Sequence, residues 1–80
     1  MNKLEQTLYD LLLPIVDNKE TLVVEEVKSK NKIVYLNVTS NDGDTARLIG
    51  RRGFVATAIR QTMGIAARLE NKRIMINFES

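Results

Sequence analysis

Between Thr21 and Thr39 the chain carries two runs rich in β-branched residues, Thr21 to Lys28 and Lys32 to Thr39, separated only by Ser29-Lys30-Asn31. Branched side chains are stiff at χ1 and pack well on a pleated surface, so both runs favour extended backbone. Three residues cannot carry a crossover, so the two strands must pair antiparallel as a hairpin. Ser40-Asn41-Asp42-Gly43-Asp44 follows as a dense loop signal, and any further strand in the sheet must come from beyond it.

The flanking segments read as helices. In residues 2 to 13, Leu4, Leu8, Leu11 and Leu12 fall on one helical face, and Pro14 ends or bends the segment. After the loop, with Asp44 or Thr45 expected as the cap, Ala46-Arg47-Leu48-Ile49 is a short helical piece that stops at Gly50. The longest regular segment runs from Phe54 to about Glu70, with Val55, Ile59, Thr62, Ala66 and Leu69 expected on its buried face and Arg60, Gln61, Gly64 and Arg68 opposite. Asn71 and Lys72 turn the chain into a last strand, Arg73 to Glu79, in which Ile74, Ile76 and Phe78 point one way. The order is α-β-β-α-α-β. A right-handed crossover places the last strand parallel to the second. The fold class is therefore α+β: a three-stranded mixed sheet with three helices on one face, the other face being more polar or covered by a partner.

Composition excludes several chemistries. Eighty residues with one proline, four glycines and no cysteine define one small domain spanning residues 1–80, too small for a deep catalytic cavity. With no His and no Cys, zinc sites, thiol chemistry and His-based triads are out of reach, and no cofactor is expected. Asp42 and Asp44 are paired carboxylates, but they stand among turn formers, which argues against an enzyme. No apolar run is long enough for a membrane span, and Glu5 and Asp10 interrupt the N-terminal apolar stretch, so a cytoplasmic protein is expected.

Charge is unevenly placed. The net value is +2, yet residues 1–44 hold five Lys against eight Asp and Glu, whereas residues 45–80 hold six Arg and one Lys against two Glu. Arginine makes forked contacts to phosphate, so the second half points toward an anionic polymer. Within it, Gly50-Arg51-Arg52-Gly53 separates the short helix from the long one. Two glycines leave the backbone bare where a helix N-terminus offers amide donors, and two arginines at the tip supply countercharge. A plain interhelical turn does not need that pair of arginines. A nucleotide-binding P-loop would need a Lys-Ser/Thr ending, which is missing.

Ile49-Gly50-Arg51-Arg52-Gly53, between two helices in an α-β-β-α-α-β order, resembles the GXXG loop of type II KH domains, the bacterial arrangement. Ala56, the Ile59-Arg60 pair, Ala66-Ala67 and Lys72-Arg73 also fit that family; the Arg51-Arg52 tip departs from its usual Lys followed by a polar residue. The resemblance covers the whole chain. It implies that Gly50, Arg51, Arg52 and Gly53 clamp the backbone of about four nucleotides of single-stranded RNA, or of single-stranded DNA. Bases would lie in a shallow groove between the two central helices and the sheet edge, with Leu48, Ile49, Val55 and Ile59 on its apolar side and Arg47 and Arg60 as flanking phosphate contacts. Aromatic stacking is not expected, since Tyr9, Tyr35, Phe54 and Phe78 form no strand platform.

The long helix is rich in small residues, Ala56, Ala58, Gly64, Ala66 and Ala67, and Gly64 is expected on its outward face, where another backbone could pack closely. The resemblance adds that such proteins self-associate or pair with a larger, multidomain KH protein in RNA regulation linked to cell elongation and division, as RNA chaperones or post-transcriptional regulators. The alternative function is an interaction adaptor acting mainly through that pairing.

Overall fold

The computed structural model describes residues 2–80. Its elements are α1 (Lys3–Leu12), β1 (Val23–Glu26), β2 (Ile33–Thr39), α2 (Asp42–Ile49), α3 (Phe54–Arg68) and β3 (Arg73–Glu79), with short 3-10 turns at Lys19–Thr21 and Arg51–Gly53. The sheet order is β1-β2-β3. β1 pairs antiparallel with β2 through Val23↔Thr39 to Glu26↔Leu36, and β3 pairs parallel with β2 through Ile33↔Arg73 to Thr39↔Glu79. This is the hairpin and the parallel return expected from the strand spacing. Asn31 and Asn71 take positive φ in the two turns flanking these strands, a conformation Asn tolerates better than most residues.

One core holds the layers together. Leu4, Leu8 and Leu12 of α1 and Ile59, Met63 and Ala67 of α3 pack against Val24, Val34, Leu36, Val38 and Ile76 on the inner sheet face, with Leu48 of α2 fully buried among them. Leu8, Leu12, Leu36, Leu48 and Met63 are the largest apolar side chains removed from water, each contributing about 2 kcal/mol of burial. The outer sheet face is mixed. Asn77 Nδ2 donates to Asn37 Oδ1 at 2.8 Å and Asn37 Nδ2 to Glu79 Oε1 at 2.5 Å, beside exposed Tyr35 and Met75.

Helix boundaries depart from expectation in two places. α2 begins at Asp42, because Asn41 caps it by accepting from Asp44 N at 2.8 Å; Asp44 lies inside the first turn. In α3 the buried stripe is Ala56, Ile59, Met63 and Ala67, whereas Thr62 is exposed and Leu69 is 84% exposed. The helix is thus rotated by about one residue from the expected face, and Gly64 is partly covered while Phe54, Ala58, Ile65 and Leu69 point outward. Among the described residues no helix is long and apolar enough to cross a membrane.

Candidate nucleic-acid interface

Four residues, Gly50 to Gly53, connect the end of α2 to the start of α3. Gly50 ends α2, donating its N–H to Ala46 O at 2.9 Å, and adopts φ 75°, ψ 174°. That region is nearly closed to residues with a side chain. Space forbids one as well, since a Cβ on Gly50 would lie 2.5 Å from Val55 Cγ2 and 2.9 Å from Val55 N. The first glycine is therefore required twice over: by its dihedrals and by the close seating of the loop on the first turn of α3. Arg52 (φ 56°, ψ 26°) and Gly53 (φ 73°, ψ 16°) are both left-handed, and Gly53 N donates to Gly50 O at 3.1 Å. A Cβ on Gly53 would meet nothing within 4 Å, so only its backbone angle favours glycine.

This geometry presents two arginines. Arg51 and Arg52 are exposed at the tip, and neither forms an ion pair among the described residues. Gly53 supplies no side chain to cap α3, leaving the first-turn amides without a side-chain acceptor there. Arg51, Arg52, Phe54 and Val55 line one open concavity of about 650 Å³. Positive charge, bare backbone and helix-start amides together suit a phosphate.

The remaining predicted contacts are placed less uniformly. Ile49 is 38% exposed beside the loop, while Leu48 is in the core. Ile59 is only 4% exposed and packs in the core, on the buried face its periodicity assigned to it, so it does not line the groove, a correction to its reading as an RNA contact. Arg47 is held by acids: its Nη1 lies 2.8 Å from Asp44 Oδ1 and 2.8 Å from Asp17 Oδ2. Arg60 donates to Ile76 O at 3.2 Å through Nη2 and stands 5.4 Å from the centre of the Phe78 ring, tying α3 to the free edge of β3. Both arginines serve the fold in this structure.

Asp44 is the residue whose role the sequence concealed. Its side chain is almost fully buried, and its carboxylate accepts from Asp17 N and Asn18 N, each at 2.9 Å, and from Arg47. These donors, the Asp17 and Asn18 amides foremost, hold its pKa below the ordinary carboxylate value against the opposing effect of burial. The contact ties the segment after α1 to the helix that ends in the glycine loop. Nothing local signals it, because the partners are 27 and 26 residues away. Phe54 was also missed as a loop-side aromatic; its position directly after Gly53 was the available signal.

The α-β-β-α-α-β order, the mixed sheet and a glycine-bounded loop between α2 and α3 define a KH domain of type II. The family model described as KhpA/KhpB, KH domain, matches residues 5–78, and the chain belongs to that family. Its relatives include an RNA-binding protein KhpA of Oceanobacillus iheyensis, 30% identical over 84% of this chain and 88% of the relative. Proteins of the same name from Borreliella burgdorferi (31% identical, 90% of this chain, 88% of the relative) and Clostridium acetobutylicum (32%, 91% and 96%) are similarly alike.

Proposed function

We propose that residues 1–80 act as a single, non-catalytic KH domain that binds single-stranded RNA, with Gly50, Arg51, Arg52 and Gly53 clamping the sugar-phosphate backbone. The observation that carries this reading is the pair of exposed arginines that form no ion pair among the described residues, on a loop whose flanking glycines both hold positive φ. Membership of the family, and the RNA-binding relatives within it, support the choice of RNA. Ile49 and Val55 flank the held strand on the apolar side, and Arg60 supplies longer-range positive charge from its fixed position, whereas Arg47, paired with Asp44 and Asp17, would reach a flanking phosphate only by leaving those acids. Single-stranded DNA presents the same phosphates and is the natural competitor.

A clamp of this kind draws its affinity from displaced counterions. Binding of a short unstructured RNA is expected to weaken steeply with salt, each phosphate contact adding about 0.7 to the slope of log K against log salt. The Arg51→Gln/Arg52→Gln variant should flatten that slope by about 1.4. A salt-independent affinity in the unaltered protein would overturn the reading.

A single site for about four nucleotides gains reach by pairing with another. The outward face of α3 supports this part of the proposal: Ile65 and Leu69 are exposed side by side, as a partner-covered face would be. The partner we propose is a second copy or a KhpB-like multidomain KH protein, in a cytoplasmic RNA chaperone or post-transcriptional regulator linked to cell elongation and division.

A further inference from the structure

Phe54 opens α3 immediately after the glycine loop and is 77% exposed. It is absent from the apolar side chains packed on the core, whereas the only other phenylalanine, Phe78, packs there beneath Arg60. A single exposed apolar residue is ordinary on a protein surface, so exposure alone carries little. Its surroundings carry more. Phe54 shares one concavity with Arg51, Arg52 and Val55, and no acidic residue lines that space. An apolar protein surface seated there would have to desolvate two arginines that have no ion-pair partner among the described residues. A single-stranded nucleic acid would not: it offers a phosphate to each guanidinium and a flat π-face to the ring.

We infer that Phe54 is a stacking platform for one unpaired base of the strand whose phosphates the Arg51-Arg52 tip holds. The inference rests on the clamp reading above and adds a nucleobase subsite to it. Only Gly53 separates Arg52 from Phe54, two steps of chain spanning at most about 7 Å, so the phosphate and the base of one nucleotide can be held together. Every base has a π-face, so the subsite takes any base, purines with the larger overlap. The clamp thereby gains grip on RNA without gaining sequence specificity.

The chain contains no tryptophan, so Phe54→Trp introduces a single indole, excited selectively beyond the absorption of Tyr9 and Tyr35, and Phe54→Leu removes the ring while keeping an apolar side chain. Affinities of both and of the unaltered protein are measured by anisotropy on a short unstructured RNA and on a set of the same RNAs, each with one abasic position. Phe54→Leu should weaken binding about 5- to 150-fold, the range typical of lost base–aromatic stacking. One abasic position should weaken the unaltered protein similarly and Phe54→Leu hardly at all. Phe54→Trp should bind as well as Phe54, with its emission quenched by RNA. If Phe54→Leu binds RNA unchanged while Arg51→Gln/Arg52→Gln does not, stacking is overturned and the clamp stands. If binding survives both changes, or the unaltered protein binds no RNA, both readings fall. Unchanged RNA affinity with altered sedimentation would assign the ring to a protein contact and likewise overturn stacking.

Discussion

Replacing Gly50 by alanine should cost far more than the same change at Gly53, although both lie in one loop and both have positive φ. At Gly50, φ 75° and ψ 174° fall in a region that costs a non-glycine residue about 1–3 kcal/mol. The added Cβ also meets Val55 at 2.5 Å (Cγ2) and 2.9 Å (backbone N). The side chain can rotate away, but the backbone nitrogen belongs to the first turn of α3 and cannot, so overpacking adds about 1–3 kcal/mol. The sum is about 2–6 kcal/mol. Gly53→Ala meets open space and pays only the left-handed penalty of about 1–2 kcal/mol, partly offset by a stiffer unfolded chain. A domain of this size holds about 4–12 kcal/mol, so Gly50→Ala consumes much of its stability and Gly53→Ala does not. In urea unfolding with a slope of about 1–1.5 kcal/mol/M, the midpoint should fall by about 1.3–6 M for Gly50→Ala and by about 0.7–2 M at most for Gly53→Ala. Equal shifts, or a larger one at Gly53, would refute the argument from close packing.

The Asp44 contact predicts a pH dependence. Its folded pKa is lowered, so the stability it contributes is present above the unfolded value of about 3.9 and is lost as pH falls through the folded value. The stability gap between the unaltered protein and Asp44→Asn, read from urea midpoints, should therefore be widest near neutrality and close on acidification below about pH 4; a constant gap would contradict it. Arg60→Met, which removes the bond to Ile76 O and the contact with Phe78, should cost about 1–2 kcal/mol of stability and weaken RNA binding less than changes at Arg51 or Arg52. Loss of RNA affinity without loss of stability would place Arg60 on the RNA instead. Ile65→Lys/Leu69→Lys on the outward face of α3 should leave stability within about 1 kcal/mol and disrupt self-association in sedimentation; unchanged association would remove that face from the pairing surface.

Much of the architecture was legible because its signals are local. Ser29-Lys30-Asn31 forced the hairpin, alternation in Ile74, Ile76 and Phe78 gave a half-buried strand, and the glycines at 50 and 53 marked the break between helices. Two errors have a common origin in degeneracy. Asn41, Asp42, Asp44 and Thr45 can all cap a helix, and the choice of Asn41 goes with Asp44 turning inward to the Asp17 and Asn18 amides, a contact no window of sequence contains. Likewise α3 is apolar on more than one side, with Phe54, Ile65 and Leu69 surplus to the core, so its periodicity did not single out which stripe would meet α1 and the sheet. Ile59 belongs to both the expected and the observed stripe, so its periodicity already implied its place in the core and its reading as a groove contact did not follow from that ambiguity. The arginines illustrate the same point. Charge asymmetry located all six, but only tertiary placement separates Arg51 and Arg52, without ion pairs at the tip, from Arg47 and Arg60, already engaged by the fold.

The decisive test is anisotropy of a short, labelled, unstructured RNA with the unaltered protein and with Arg51→Asp/Arg52→Asp, after circular dichroism has shown both to be folded. The tip is exposed and outside the core, so charge reversal should leave the fold intact and abolish binding. Undiminished binding by the folded variant would contradict the assignment of the loop as the clamp.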